Sequence, residues 1–274
     1  MTAAAILAHE VIGSGAEKVI VLGGWLGDRG VFQPIHHLLD RDKFTYCFAD
    51  PRGYGGSMDI ASQHQRGSGG RCRRPSCAGL GQVPFHRSFD DGQSGAVPVR
   101  PSWRFAPRRS WASPACLSHR TDARRSPALL HRLGNPANRG IICMVTTGNR
   151  NTPVWEQHMI RESLRTTTPA AFRDYFTMWA GEDFAADMPG CQTPFLAMTG
   201  EFDGGVPTAF VQATVMRWLP NAELHVMSNS GHYPMQETPI QFVTVCESVP
   251  GALCLIGQDL VHAPRRFVTA RPLC

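Results

Sequence analysis

The sequence lacks most of the features that mark membrane, secreted or metal-binding proteins. No apolar run approaches the roughly 20 residues that a helix needs to span a bilayer, and no secretory signal opens the chain. The nine cysteines are an odd number, and none lies in a CxxC or His-rich pattern that indicates a disulfide framework or a zinc site. We therefore expect a reduced, cytoplasmic protein with no metal, no other cofactor and no membrane partner.

One part of the chain lacks several residue types altogether. Between Arg66 and Arg125 there is no Lys, Glu, Ile, Met or Tyr, but there are twelve Arg and three Asp. This stretch carries a formal charge of +9, which leaves −4 for the remainder of a chain whose total is +5. Because the positive charge is confined to this stretch, it does not indicate an acidic partner for the rest of the chain. We call residues 64–133, which are rich in Arg, Pro, Ser and Gly, the anomalous segment.

Outside the anomalous segment, short apolar runs that end in turn residues predict buried strands at 18–22, 44–49 and 194–200, and residues 222–227 are predicted to form a last strand. Helical periods predict helices at 31–39, 208–219 and 238–247, and two helical units within 154–179. This alternation predicts a single α/β domain over residues 1–274, a length that one core can fill. Residues 150–185 are predicted to form a small helical cap over a pocket.

Four short motifs follow the predicted strands. They are Leu-Gly-Gly-Trp-Leu-Gly at 22–27, Asp-Pro-Arg-Gly-Tyr-Gly-Gly-Ser at 50–57, Gly-Glu-Phe-Asp at 200–203 with Val-Pro at 206–207, and Ser-Gly-His-Tyr-Pro at 230–234. In this order, over about 170 residues, they resemble the motifs of serine-type α/β-hydrolases. The resemblance implies the α/β-hydrolase fold, which has a mostly parallel sheet flanked by helices, here with a small helical cap.

The resemblance also implies roles for individual residues. In this family the acid and the base of the catalytic triad lie on loops after strands, and Asp203 and His232 occupy such positions. His232 would take the proton of a serine hydroxyl, and Asp203 would hold the imidazole in the correct tautomer. The backbone N–H of Trp25 resembles an oxyanion-hole donor. The pocket would be lined by Leu26, Trp155 and Trp179.

Each of these residues also has a structural interpretation. An Asp after a strand is commonly a turn residue, a His before Tyr-Pro can cap the closing helix, and the tryptophans would serve equally as core aromatics. The motif at 50–57 is predicted to be a structural turn near the pocket, because its glycines supply unusual backbone angles.

The expected nucleophile is missing. A family member presents G-x-S-x-G about 30 to 45 residues beyond the Asp50 turn, but no such pentapeptide occurs in the chain. The nearest lookalike is Gly-Gln-Ser-Gly-Ala around Ser94, which does not follow a buried strand. Ser88 is flanked by Arg87 and Phe89, where a tight elbow needs small residues.

Back-translation suggests why the nucleophile is missing. Residues 86–93 can be coded as CAT CGG TCA TTC GAT GAC GGG CAA, and reading this one nucleotide later gives Ile-Gly-His-Ser-Met-Thr-Gly, a complete nucleophile elbow. Out-of-frame reading of a GC-rich gene also favours Arg, Pro, Ser, Gly and Cys over Lys, Ile, Tyr and Glu. We interpret the anomalous segment as translated out of frame, and the tail after Glu247 allows a similar shift.

The sequence therefore predicts a hydrolase of carboxylic esters or thioesters with a Ser-Asp-His mechanism, whose nucleophile is lost in this chain so that it is inactive. Its partner would be a small-molecule ester, and we expect no nucleic-acid partner. The alternative is a non-catalytic basic protein on a hydrolase scaffold, binding nucleic acid or another anion through the arginines with stacking on Trp103 and Trp111. The substrate and the oligomeric state are not readable from the sequence.

Overall fold

The computed structural model of the protein describes residues 7–62, 135–181 and 195–248, and two strands at 253–256 and 259–262. The anomalous segment and Ser94 lie outside the described residues. The strands are β1 (His9–Ile12), β2 (Glu17–Leu22), β3 (Phe44–Ala49), β4 (Phe195–Gly200), β5 (Ala222–Met227), β6 (Leu253–Ile256) and β7 (Asp259–His262). The helices are α1 (Pro136–Thr146), α2 (Pro153–Thr166), α3 (Pro169–Gly181), α4 (Thr208–Ala213), α5 (Val215–Trp218), α6 (Pro234–Glu237) and α7 (Pro239–Ser248).

The described strands form one sheet in the order β1-β3-β2-β7-β6-β4-β5. Parallel pairing joins β2 to β3, β4 to β5 and β4 to β6, while β1 pairs antiparallel with β3 at one edge. Every residue of β4 is buried, as expected for a strand covered on both faces. The predicted strands at 44–49 and 222–227 are confirmed by β3 and β5, and those at 18–22 and 194–200 by β2 and β4 to within a residue.

The middle of the sheet is occupied by the antiparallel pair β6–β7, which we call the tail hairpin. β6 runs parallel to β4, and β7 runs antiparallel to β2 with two paired residues, Ile20 with His262 and Val21 with Val261. In the described part of the chain, the tail hairpin is therefore the link through which β2 and β4 belong to the same sheet.

The main apolar core lies between the sheet and the helices. Its fully buried centre includes Phe32, Phe48, Met227, Met235 and Phe242. A second cluster packs β4 against α4 and α5 and contains Phe195, Ala197, Val206, Val211, Val215 and Leu219. Burial of such side chains contributes about 1.5–3 kcal/mol each and is the main force holding the helices to the sheet.

Two predicted helices differ from the observed ones. Residues 31–39 were expected to form an α-helix, but the structure has a 3-10 helix at Arg29–Ile35, with Asp28 accepting a hydrogen bond from Gly30 N at its start. Pro34 lies inside this element, and its missing N–H and its ring are incompatible with continued α-helical bonding. The helix expected at 208–219 is divided into α4 and α5 at Thr214, whose φ of −120° and ψ of −86° leave the helical region.

Helices α2 and α3 lie in the segment predicted as a cap. The side chain of Thr152 caps α2 by accepting a hydrogen bond from Trp155 N at 3.2 Å, and Asn135 caps α1 in the same way through Ala137 N. None of the helices among the described residues is long and apolar enough to cross a membrane.

The motif at 50–57 forms a compact turn around a buried carboxylate. Asp50 is fully buried, pairs with the Arg29 guanidinium and accepts hydrogen bonds from Arg29 N at 3.0 Å and Gly56 N at 2.8 Å. Gly53 and Gly55 have φ of +80° and +46°, which side chains with a Cβ rarely adopt. The turn has the structural character that its glycines predicted.

Candidate active site

The two residues predicted as acid and base meet at the ends of neighbouring parallel strands. β4 and β5 pair up to Gly200 and Met227, and the loops that follow carry Asp203 and His232. Nδ1 of His232 lies 2.8 Å from Oδ2 of Asp203, and both side chains are almost completely buried. The geometry is that of a carboxylate orienting an imidazole.

Further hydrogen bonds hold the Asp203 carboxylate. Its Oδ1 accepts from Gly205 N and Val206 N, each at 2.8 Å. Burial by itself raises the pKa of Asp203, but the His232 ring and these backbone N–H groups outweigh it and lower that pKa below its usual value. An ionised carboxylate is only an acceptor, so Nδ1 of His232 carries the proton and the proton-transfer position is Nε2 on the other side of the ring.

The His232 loop is fixed to α1 and to α6. His232 N donates to Thr146 O at 3.1 Å, near the end of α1. Gly231 N and Tyr233 N donate to Oε2 and Oε1 of Glu237, each at 3.0 Å. The sequence analysis did not identify Glu237. Its signal is an acidic side chain on the short helix after the His, within reach of backbone N–H groups at the helix start.

Close backbone approaches bring the two loops together. A Cβ at Gly200 would collide with the carbonyl oxygens of Gly231 and Ser230, and one at Gly231 would collide with Thr147. Phe202 N also donates to Ser230 O at 2.9 Å. Gly200 is therefore needed for the contact between the loop of Asp203 and the loop of His232, and Gly231 for the contact of the His232 loop with the end of α1.

An aromatic wall lies beside His232. The ring of Tyr233 packs edge-on against His232, with centroids 5.5 Å apart, and edge-on against Trp155 at 5.6 Å. The Trp155 indole donates to Gln236 Oε1 at 3.0 Å, which anchors α2 to α6. The structure thus places Trp155 one ring away from His232.

Trp25 lies against α3. Its ring stacks on Phe172 at 4.5 Å and is tilted against Phe176 at 5.2 Å, and its indole N–H donates to Phe172 O at 2.8 Å. Its carbonyl oxygen accepts from the hydroxyl of Tyr54, at 2.9 Å, so the 50–57 turn fixes the backbone of this residue. The indole is thereby tied to the segment predicted as a cap.

The other predicted pocket residues are Leu26 and Trp179. Leu26 is buried in the main core, in the same cluster as Trp25, Trp155 and Tyr233. Trp179 belongs to α3, but its side chain lies outside the described residues. Within the described ranges there is no group of His, Cys, Asp and Glu that could hold a metal ion.

No family model and no curated protein matches the chain. Solved structures do match. The esterase EaEST from Exiguobacterium antarcticum has a TM-score of 0.58 at 16% identity, over 88% of this chain and 94% of that one. A hydrolase from Oleispira antarctica has a TM-score of 0.60 at 16% identity, over 88% of this chain and 93% of that one. A thermophilic esterase from Thermogutta terrifontis has a TM-score of 0.55 at 21% identity, over 88% of this chain and 92% of that one. Likeness at such identities concerns the fold alone, and by this likeness the chain has the α/β-hydrolase fold that its motifs predicted.

Proposed function

We propose that this scaffold is that of a serine-type hydrolase of small carboxylic esters or thioesters, working without a metal or an organic cofactor. The observation that carries the proposal is the buried hydrogen bond of 2.8 Å between His232 Nδ1 and Asp203 Oδ2, at the ends of two parallel strands. A buried imidazole oriented by an ionised carboxylate is suited to take a proton from a nucleophile and return it to a leaving group.

The proposed chemistry assigns three roles to this chain's own residues. His232 is the general base and then the general acid, Asp203 holds its tautomer, and the backbone N–H of Trp25 donates to the oxyanion of the tetrahedral intermediate. The Trp155 and Tyr233 rings beside His232 support an apolar lining for the acyl or alcohol group. Leu26 and Trp179 are proposed to complete that lining.

We further propose that the chain is inactive because its nucleophile is lost with the anomalous segment. Loss of the nucleophile leaves only the residual rate from binding and oxyanion stabilisation, thousands-fold or more below that of an intact triad. A chain in which 86–93 is replaced by the reading of the shifted frame would regain the Ile-Gly-His-Ser-Met-Thr-Gly elbow. We also propose a reducing, cytoplasmic location, because the nine cysteines of the sequence are an odd number and none lies in a CxxC pattern.

The experiment has a genetic and an enzymatic part. The gene is resequenced from the codon for Ser57 to that for Asn149, where compensating single-base shifts are expected. Hydrolysis of p-nitrophenyl esters is then measured for this chain and for the frame-corrected chain, with His232→Ala as the matched inactive control. Turnover by this chain that is abolished in Ser94→Ala would refute the proposal.

The twelve arginines between Arg66 and Arg125 favour a second candidate, a basic binding protein on a hydrolase scaffold. Binding of arginines to phosphates releases the counterions condensed on the nucleic acid. Because this gain shrinks as the salt concentration rises, the affinity falls steeply with salt. Retention of the soluble chain on heparin or DNA that is lost between about 50 and 200 mM salt would support this candidate. If the gene sequence shows no shift and the chain is retained in this way, the basic binding protein replaces the enzyme as the proposed function.

A further inference from the structure

Glu237 contacts the backbone on both sides of His232. Gly231 N donates to one oxygen of its carboxylate and Tyr233 N donates to the other, both at 3.0 Å. Between these two groups, His232 N donates to Thr146 O at 3.1 Å. Three consecutive backbone N–H groups are thus held, and the outer two share one side chain.

Each oxygen of the carboxylate accepts from one backbone N–H, an arrangement that suits a carboxylate as acceptor. Burial raises the pKa of Glu237 above its ordinary value, and the hydrogen bonds from Gly231 N and Tyr233 N and the nearby Arg150 and His232 offset only part of that rise. Hydrogen bonds to an ionised carboxylate are about twice as strong as those between neutral groups. A two-oxygen acceptor also fixes the direction of the loop, which a single hydrogen bond would leave free to rotate.

Helix capping alone explains only half of the arrangement. Tyr233 is the N-cap residue of α6, so its N–H bonding back to Glu237 resembles a capping box. The second bond, from Gly231 N, lies outside the helix on the far side of His232. The ring of His232 is attached between the two bonded residues, and its contact with Asp203 depends on where that backbone lies.

We propose that Glu237 is a positioning residue that clamps the loop of His232 so that Nδ1 faces Asp203 and Nε2 faces the nucleophile position. The catalytic part of this inference rests on the proposed function, whereas the clamp itself concerns only the Asp203–His232 geometry. Glu237 would act through the backbone of residues 231–233 and not by contact with a reacting atom.

The test reads the His232–Asp203 hydrogen bond directly by NMR in the full chain, labelled with nitrogen-15 at histidine. A ring N–H donated to a buried carboxylate gives a far-downfield proton signal, which Asp203→Asn identifies by removing it. We expect this signal to be lost or shifted upfield in Glu237→Gln. Glu247→Gln is the matched control, since Glu247 accepts comparable bonds, from Asp40 N at 3.0 Å and Tyr46 Oη at 2.5 Å, away from the His232 loop.

An unchanged downfield signal in Glu237→Gln, with a fall in melting temperature like that of Glu247→Gln, would overturn the clamp and leave Glu237 as a helix cap. If Glu237→Gln does not fold, Glu237→Asp serves instead, because a side chain one methylene shorter cannot bridge both N–H groups. An unperturbed signal in that variant would equally overturn the clamp.

A second readout separates the clamp from the proposed function. In the frame-corrected chain, we expect Glu237→Gln to lower kcat at least tenfold with little change in KM, because substrate contacts are untouched. If the NMR signal responds to Glu237→Gln but the frame-corrected chain hydrolyses no ester, the clamp stands and the proposed function fails. If the unsubstituted chain gives no downfield signal, the Asp203–His232 bond itself is refuted and both fail.

Discussion

Asp203→Asn is the substitution that separates an oriented acid–base pair from an ordinary turn aspartate. Asn can still accept the backbone hydrogen bonds from Gly205 and Val206, so the turn itself is retained. What changes is the bond to His232, because the amide has no charge and presents an N–H or a neutral oxygen to Nδ1. The substitution therefore removes the charge while leaving the shape of the side chain.

The expected loss of stability follows from that difference. A hydrogen bond to a charged group contributes about 1.5–3 kcal/mol and a neutral one about 0.5–1.5 kcal/mol, so Asp203→Asn should cost about 1–2 kcal/mol at pH 7. For a domain of this size, each kcal/mol lowers the melting temperature by roughly 2–4 °C. In the frame-corrected chain, a wrong imidazole tautomer should also lower kcat by about four orders of magnitude, as it does in a serine protease.

The loss of stability in Asp203→Asn should depend on pH. Because the pKa of Asp203 is lowered in the folded protein, its ionised form contributes stability that is fully present above the carboxyl's ordinary pKa. This contribution disappears as the pH falls through the lowered pKa. The melting temperatures of the parent and of Asp203→Asn should therefore differ at pH 7 and converge in strong acid.

The assay is thermal unfolding followed by circular dichroism from pH 8 down into strong acid. Asp40→Asn is the matched control, because Asp40 is a turn residue that accepts from Asp42 N and Lys43 N without a histidine partner. We expect little change from the control. If Asp203→Asn unfolds at the same temperature as the parent at pH 7, or if the control loses as much, the carboxylate is only a turn residue and the reasoning is refuted.

Three further expectations concern the rest of the molecule. Asp50→Ala should cost about 1–3 kcal/mol, measured by urea unfolding, because it leaves Arg29 N and Gly56 N without their acceptor; a loss below about 0.5 kcal/mol would contradict the importance of the 50–57 turn. Phe32→Ala should cost about 3–5 kcal/mol in the same assay, since the ring is fully buried in the main core, and a near-neutral result would contradict that packing. Gly200→Ala should abolish the downfield His232 signal, because the added Cβ forces the Asp203 and His232 loops apart. If the signal is retained, the loops can accommodate a Cβ at this position and the argument from close approach is wrong.

Local sequence patterns were sufficient to predict the strands that lead to the candidate site. The apolar run at 194–200 matches β4 to within a residue, because a buried strand bounded by turn residues is specified within its own few residues. The strand predicted at 222–227 coincides with β5. The placement of Asp203 and His232 on loops after strands came from the family resemblance. Their contact at 2.8 Å is consistent with that expectation.

Other features depend on contacts between distant residues and could not be predicted in this way. The hydrogen bonds that Glu237 accepts from Gly231 N and Tyr233 N depend on the path of the loop, and no sequence pattern predicts that path. The stacking of Trp25 on Phe172 joins residues far apart in the chain. The tail hairpin has four-residue strands, which are too short for an alternating pattern to be distinctive. Its place in the sheet depends on pairing with β2 and β4, which are distant in the sequence.

The tail hairpin also places the two parts of the candidate site on different halves of the sheet. Asp203 and His232 belong to the half of the sheet that contains β4 and β5, whereas Trp25 follows β2 in the other half, and β7 is bonded to β2 over only two residue pairs. Local opening at so short a ladder costs less than global unfolding. The shared core keeps both halves together when this ladder opens, so in native-state hydrogen exchange the β2 amide that faces β7 would lose protection before the amides of β4.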